Sequence, residues 1–600
     1  MNYQNLKTQN RIINRRSFLL ILSKIFMFSI VGWQLFKLQI LKSDKYKTLS
    51  KNNQIDFEII YPLRGMILDR NNTIIANNQK SYDLYIIPEK TDNINDTLNN
   101  LNNFINKDFR KKRKIIELSK KVKKFERIKI FDNISWQKLE ILEANKNDLP
   151  GLYLKNSPKR IYNFGNYFSH TVGYINKPTE KDLNLPFISK MPSLEIGKIG
   201  LEKYFNTQLI GIPGQREIEV NSIGREIREI SKVSSKNGED ISITIDTELQ
   251  KFIHNELKNY KAGSIVVMKV KSGEIIGMAS QPNYNPNKII NKPNEEYWNE
   301  ILKNKLSPLT NRSVQGLYSP GSTFKMIVAL AALKKGVINS NDLATCEGKI
   351  EFGDRVYHCW KTKGHGKVNL EKGIKESCDV YFYELSKKVG IDSIAKMAKE
   401  FGLGNSYQFG FEDEKKGIIP SKKWKKKNIN ESWYAGETLI AAIGQGYVLT
   451  TPLQLAVMTS RIATNGLKIL PIIENNSLKR KFDQIDINKT HLNLIKKSMF
   501  NVVNEPRGTA YKSRSEKYKF SGKTGTSQVK KITIEEREEE DFRKKEKEWK
   551  NKDHALFVGY MPSTNPNYAL SVIIEHGGSG ASVAAPIAKK IFDFLYKEKV

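Results

Sequence analysis

Apolar positions recur along this chain with more than one rhythm. Phe18 to Phe36 is a largely apolar run of membrane-spanning length, interrupted by Ser23, Lys24, Ser29 and Gln34. Lys24 lies near its start, where a long side chain can snorkel to the interface. Arg11, Arg15 and Arg16 precede the run, and the positive-inside rule puts them in the cytoplasm. No small-residue cleavage site follows, so the run reads as an uncleaved anchor over residues 18–40 behind a cytoplasmic tail, 1–17. The competing reading is a buried core helix. With an anchor, everything after about Leu41 lies outside the cytoplasmic membrane.

From Asp92 to about Asn147 the chain is rich in Lys, Asn and Ile at helical spacing, which predicts a helical head insertion near 92–147. Gly211-Ile212-Pro213-Gly214 marks a turn between a helix and strands. A boundary falls at Ser234–Gly238. Beyond it Ile241–Ile245 alternates as a strand, and Asp246 is placed to cap a helix from Thr247. Ser264–Val270 and Glu274–Ser280 form a predicted hairpin across Lys271-Ser272-Gly273. Leu556–Met561 and Tyr568–Glu575 form a second, and Ala584–Tyr596 a final helix. Periodicity alone supports helices with antiparallel strands.

Composition changes this picture little. The 600 residues leave room for several domains. Lys and Arg number 99 against 64 Asp and Glu, a net charge of +35. No single arm concentrates the charge and no nucleic-acid motif is present, so it reads as a bias towards Lys, Asn and Ile.

Chemistry enters at Ser322-Thr323-Phe324-Lys325. The stretch follows a Pro320-Gly321 break and runs into the apolar helix former Met326–Leu333. Ser322 and Lys325 are three apart, hence on one helical face. A serine hydroxyl needs a neighbouring base, and a lysine amine serves if burial and the helix N-terminus depress its pKa. Chance supplies such a pair often, so partner groups decide. Ser377-Cys378-Asp379 and Lys523-Thr524-Gly525-Thr526 follow in order. Ser377 can relay a proton to a leaving amine. Lys523 adds a second positive charge, which favours a neutral Lys325. Thr524 and Thr526 offer hydroxyls to a substrate carboxylate, and Gly525 lets a substrate lie against the strand.

These three boxes, in this order, resemble the penicillin-binding proteins and related β-lactamases. Pro62–Arg70 (PLRGMILDR) resembles the stretch that opens the non-catalytic pedestal of the class B members, and Pro158–Asn176 and Ile196–Ile230 resemble other pedestal segments. Asp553–Tyr560, Glu575–Gly578 and Ala584–Pro586 match closing strands and helix. The aspartate of Ser-x-Asp, and the region Cys346–Tyr383, fit the elongation-specific penicillin-binding protein 2 group. The resemblance implies an α+β multidomain chain: an anchor, an elongated pedestal (dimerisation-type) domain over 41–238, and a transpeptidase domain over 239–600. In the latter, the first and last strands join Lys523–Val529 in one antiparallel five-stranded sheet flanked by helices. It implies an oxyanion hole from the amides of Ser322 and Thr526. It also implies crosslinking of peptidoglycan stem peptides through an acyl-enzyme on Ser322, acylation by β-lactams, and a SEDS-type glycosyltransferase of the rod elongation complex as partner. No cofactor enters the chemistry.

Cys346, Cys359 and Cys378 are the three cysteines, with His365 among them. Three thiolates and one imidazole make a tetrahedral zinc set of structural role, with His358 as alternative ligand. Outside the membrane, a Cys346–Cys359 disulfide with Cys378 left over fits as well. In some members of the resembled group these positions hold a metal. The charged run Glu535–Glu540 through Lys552 reads as a solvated insertion beside the active-site strand. Two other functions compete: a D,D-carboxypeptidase or β-lactamase, for which no deacylating glutamate is identifiable, and a non-catalytic scaffold, activator or β-lactam sensor.

Overall fold

The computed structural model describes residues 3–45, 54–105, 112–184, 194–221, 225–290, 295–475, 480–530 and 548–597. Most of the charged run after Thr526 therefore lies outside the described residues. The chain opens with a helix, Tyr3–Phe36, that continues through a π-type turn, Lys37–Leu41. Its stretch Arg15–Leu41 is long and apolar enough to cross a membrane. These 27 residues span about 40 Å at the α-helical rise, against about 30 Å of hydrocarbon. The two serines in the run do not leave their hydroxyls unpaired. Ser23 Oγ donates to the Leu20 carbonyl at 3.0 Å and Ser29 Oγ to that of Ile25 at 2.8 Å.

The residues group into two compact units. The first holds Met1–Pro62, Ser81–Ser157 and Ile212–Lys236; the second holds Leu63–Lys80, Pro158–Gly211 and Asn237–Val600. Two pieces expected in the pedestal thus pack with the C-terminal part of the chain. In the first unit, Ile55–Ile60, Gly214–Val220 and Glu226–Val233 form an antiparallel sheet in that order. A second sheet orders Ile128–Ile134, Tyr82–Ile86 and Leu152–Asn156. Helices Ile94–Ile105, Lys112–Ser119 and Trp136–Ala144 complete this head around Leu84, Ile86, Leu98, Leu101, Ile130 and Leu142. The segment 92–147, expected to be helical, therefore also contains a strand. Its period-2 burial, Ile128 and Ile130 inside with Lys129 out, is masked in the sequence by the surrounding lysines.

In the second unit, Leu63–Arg70 is explained by what its charges hold. Glu202 is fully buried between Arg64 and Arg160, with Nε–Oε distances of 2.6 and 2.7 Å. Asp69 accepts from the amides of Asn71 and Thr73, both at 2.8 Å, and of Thr247 at 3.2 Å. Five strands make the main sheet: β1 (Gly263–Lys269), β2 (Ile275–Gln281), β3 (Ser521–Ser527), β4 (His554–Met561) and β5 (Tyr568–Ile574). All pairs are antiparallel in the order β2-β1-β5-β4-β3, which puts β3 at an edge. Helix α1 (Thr247–Leu257) starts on Asp246, whose carboxylate accepts from Glu248 N and Leu249 N, each at 3.0 Å, as its position predicts. It packs on β2. Helices α2 (Lys325–Lys335), α3 (Asp379–Val389), α4 (Pro452–Ala463) and α5 (Lys489–Asn504) form the helical half. Of these, α4 lies on β1 and β5, and α5 lies on β3. Helix α6 (Ala585–Lys597) packs on β4, β5 and α1. The β1 and β5 residues are buried almost throughout, as strands covered on both faces are.

Candidate active site

Ser322 lies in a single 3-10 turn, Gly321–Phe324, that leads into α2. Gly321 has φ +54°, and a Cβ there would stand 2.7 Å from the Thr526 carbonyl oxygen. Its amide donates to the Gly444 carbonyl at 2.9 Å. Gly525 is pinched in the same way, since a Cβ would meet the Pro320 oxygen and the Thr323 methyl at 3.0 Å. Glycine at both positions therefore lets the turn that bears Ser322 rest on the backbone of β3. The approach to this turn is fixed by Tyr318. Its amide and carbonyl pair with Thr450 at 2.9 Å, and its hydroxyl donates to Glu575 at 2.7 Å. Arg312 holds the same carboxylate at 2.7 Å.

Ser377 sits in the break between helix Leu370–Lys375 and α3, with φ +57°. A non-glycine residue there costs about 1–3 kcal/mol, the kind of strain that collects at functional sites. Two fully buried lysines converge on its hydroxyl: Lys325 Nζ at 3.3 Å and Lys523 Nζ at 2.9 Å. Lys325 also donates to the Ser377 carbonyl at 2.9 Å and pairs with Asp379 Oδ1 at 2.7 Å. Lys523 donates to the Thr524 carbonyl at 3.0 Å. Burial, then the charge of Lys325, holds the Lys523 amine well below the usual lysine range, with Asp379 partly opposing.

The fold brings the lysines of the first and third boxes onto the hydroxyl of the second; the sequence supplies the boxes. It does not anticipate that Lys325 turns to Ser377 and Asp379; no hydrogen bond joins Lys325 Nζ to Ser322 Oγ among the described residues. Nor does it anticipate that Lys523 is the amine pushed down. Thr524 Oγ1 is 2.7 Å from Thr509 Oγ1, and Thr526 Oγ1 accepts from Gly580 N at 3.4 Å. Thr509, Gly444 and Tyr318 were missed. The signals were Gly444-Gln445-Gly446 ahead of Thr451-Pro452, and the glycine beside Thr509.

The thiols of Cys346, Cys359 and Cys378 and a His365 nitrogen all lie within 4.8 Å of one another, and all four residues are buried. His365, rather than His358, completes the group, and the cysteines are free thiols. His365 Nδ1 is 3.6 Å from Cys346 Sγ and 3.5 Å from Cys359 Sγ. Burial pushes the Cys346 thiol up, while the hydrogen bond from Cys378 pulls Cys359 down and raises Cys378 in turn. The group abuts the second box. Trp360 N, next to Cys359, donates to Asp379 Oδ2 at 2.8 Å, and Trp360 Nε1 to the Glu376 carbonyl at 3.1 Å.

Residues 263–593 match the Penicillin binding protein transpeptidase domain, and residues 59–243 the Penicillin-binding Protein dimerisation domain. Across the whole chain there is 31% identity to the peptidoglycan D,D-transpeptidase MrdA of Haemophilus influenzae, covering 100% of this chain and 94% of that one. The chain belongs to the penicillin-binding protein 2 group of class B penicillin-binding proteins. MrdA of Escherichia coli K12 is 30% identical over 99% of this chain and 96% of its own. Among solved structures, penicillin-binding protein 2 in its complex with MreC from Helicobacter pylori has a TM-score of 0.79 at 30% identity, covering 91% of this chain and 99% of that one. Penicillin-binding protein 2 of Pseudomonas aeruginosa in complex with WCK 5153 has 0.68 at 30%, covering 90% and 96%. The family expected from the boxes and pedestal segments is the one found, and so is its five-stranded sheet.

Proposed function

We propose that this penicillin-binding protein is a peptidoglycan D,D-transpeptidase working through an acyl-enzyme on Ser322. The observation that carries the reading is the pair of buried lysines sharing the Ser377 hydroxyl, one of them pushed down, beside the turn of Ser322. At rest the Lys325 ammonium is held by Asp379. Once the substrate carboxylate lies at Thr524 and Thr526, its negative charge raises the Lys523 amine, which then takes a proton from Lys325 by way of Ser377 Oγ and leaves Lys325 as the neutral amine. Lys325 then takes the Ser322 proton as Oγ attacks the carbonyl of the penultimate D-alanine. Charge on the tetrahedral oxygen meets the amides of Ser322 and Thr526. The C–N bond breaks, and the leaving D-alanine amine takes its proton from Ser377, which is resupplied by the lysines. Thr524 and Thr526 take the substrate carboxylate. An amine of a neighbouring stem then attacks the ester, forms the crosslinking amide and returns the proton to Ser322. β-Lactams acylate the same oxygen. Ser322→Ala is expected to lose covalent labelling by fluorescent penicillin with its melting temperature unchanged, and a labelled Ser322→Ala protein refutes the assignment. A crosslinking assay with lipid-linked precursor and a glycosyltransferase separates the reactions. Crosslinked dimer supports transpeptidation; D-alanine released without dimer identifies a carboxypeptidase, and glycan strands alone a scaffold.

The reading extends to placement and partners. The N-terminal helix anchors the chain in the cytoplasmic membrane, with Arg11, Arg15 and Arg16 inside and the catalytic unit outside in the periplasm. A SEDS-type glycosyltransferase of the rod complex is the expected partner, in keeping with the likeness to a peptidoglycan synthase complex at TM-score 0.71. The Cys/His group is read as a structural zinc site. A tetrahedral centre with zinc–sulfur bonds of about 2.3 Å and zinc–nitrogen bonds of about 2.05 Å sets ligand sulfur and nitrogen about 3.6 Å apart, and the two distances are 3.6 and 3.5 Å. Cys346, Cys359, His365 and Cys378 would hold the ion, which supplies a brace behind the second box. Metal analysis of purified protein is expected to give about one zinc per chain; no metal together with a Cys346–Cys359 bridge by mass spectrometry refutes it.

A further inference from the structure

The turn Glu505–Thr509, which follows α5, runs between the second and third boxes. On one side Arg507 pairs with Glu376 at 2.8 Å and Glu505 with Lys375 at 3.3 Å. The Thr509 amide donates to the Lys375 carbonyl at 3.3 Å. Glu376 directly precedes Ser377, and its carboxylate is 6% exposed where the Arg507 side chain is 60% exposed. On the other side Thr509 Oγ1 meets Thr524 Oγ1 at 2.7 Å, and Asn504 Nδ2 donates to the carbonyl of Phe520, at the entry to β3. Arg507 does this with φ +67°, a left-handed conformation that an L side chain such as arginine avoids. A glycine would hold the same backbone without strain, so the side chain earns its place through what it touches.

We propose that Arg507 and Thr509 are positioning residues that hold the two boxes in register. The bond from Lys523 Nζ to Ser377 Oγ, 2.9 Å long, joins a helical turn to a sheet edge. Hydrogen bonds weaken steeply with misalignment, so the two supports need a tie between them. Arg507 ties the side of Ser377 through Glu376, and Thr509 ties the strand of Lys523 through Thr524. Thr509 has a second effect. When its hydroxyl donates to Thr524, the Thr524 proton is left to point at a substrate carboxylate.

The inference rests on the reading of Ser322 as the acylated nucleophile. It is tested by acylation rates of the full-length protein in detergent with fluorescent penicillin, alongside melting temperatures. Arg507→Gly is expected to acylate roughly tenfold more slowly through a smaller limiting rate, with only a modest fall in melting temperature, since relief of the left-handed strain offsets part of the cost of the unpaired Glu376 carboxylate. Thr509→Val is expected to lose roughly three- to tenfold, in apparent affinity, and Thr509→Ser to stay within about twofold of wild type because it keeps the hydroxyl. Wild-type rates in Arg507→Gly and Thr509→Val overturn the proposal. So does slowing that follows a fall in melting temperature, with Thr509→Ser as slow as Thr509→Val. A wild-type protein that takes no label overturns the nucleophile assignment itself, which a labelled wild type with unchanged variants does not.

Discussion

Replacing Asp379 by asparagine tests the electrostatics of the site directly. Asp379 is the carboxylate at 2.7 Å from Lys325, and it also opposes the fall of the Lys523 amine. Removing its charge leaves the two buried amines with neutral oxygens of Ser377 and Thr524 as acceptors and no anion to stabilise a proton on either. Two unit charges 4 Å apart interact by about 4 kcal/mol at an effective dielectric of 20, and a neighbouring opposite charge typically moves a pKa by about 1–3 pH units. The sign follows: loss of the anion disfavours the protonated pair, so a neutral amine is present at lower pH. The acid limb of the acylation rate with penicillin is therefore expected to move down by about 1–3 pH units. The limb position, read from stopped-flow rates across pH, is independent of the plateau height. An acid limb that stays in place, or moves up, refutes the claim that Asp379 controls the protons of the lysine pair.

Two stability predictions accompany it. Glu202→Gln strands the buried guanidiniums of Arg64 and Arg160 without a counter-charge and is expected to cost about 3–5 kcal/mol, read as a lowered urea midpoint; an unchanged midpoint rejects the triad as a determinant of folding. Burial pushes His170 down to about 4 and His254 to about 3. The unfolded chain gains these protons near pH 6.5 and the folded chain does not, so stability is complete above about 6.5 and falls as pH drops towards the folded values. Between pH 6.5 and 5 each histidine is expected to contribute about 1.6 kcal/mol of loss, and a urea midpoint flat across that interval counts against their burial as neutral rings.

Much of the site was legible because its chemistry is local. Ser322 and Lys325 share one helical turn, Asp246 caps the helix it precedes, and Lys523 to Thr526 lie along one strand; such relations follow from sequence spacing. The head strand Ile128–Ile134 was hidden because it follows the lysine-rich Lys120–Lys124 and carries Lys129 itself, and only packing on Tyr82–Ile86 selects period 2 over period 3.6. Thr509, Arg507 and Gly444 were hidden for another reason. Each acts on a residue far along the chain, and nothing in its own neighbourhood states the partner.

By itself, then, the amino-acid sequence determined which groups carry the chemistry: a serine with a lysine one turn away, a Ser-x-Asp, a Lys-Thr-Gly-Thr, and a Cys/His set. Only the tertiary structure decided how protons are shared among them. Whether a buried lysine is charged depends on what lies within a few ångströms of its nitrogen. That shell is assembled from α2, the turn before α3 and the edge strand β3, which meet only when the helical half closes on the sheet. The fold therefore gives Asp379 to Lys325 and leaves Lys523 the depressed amine.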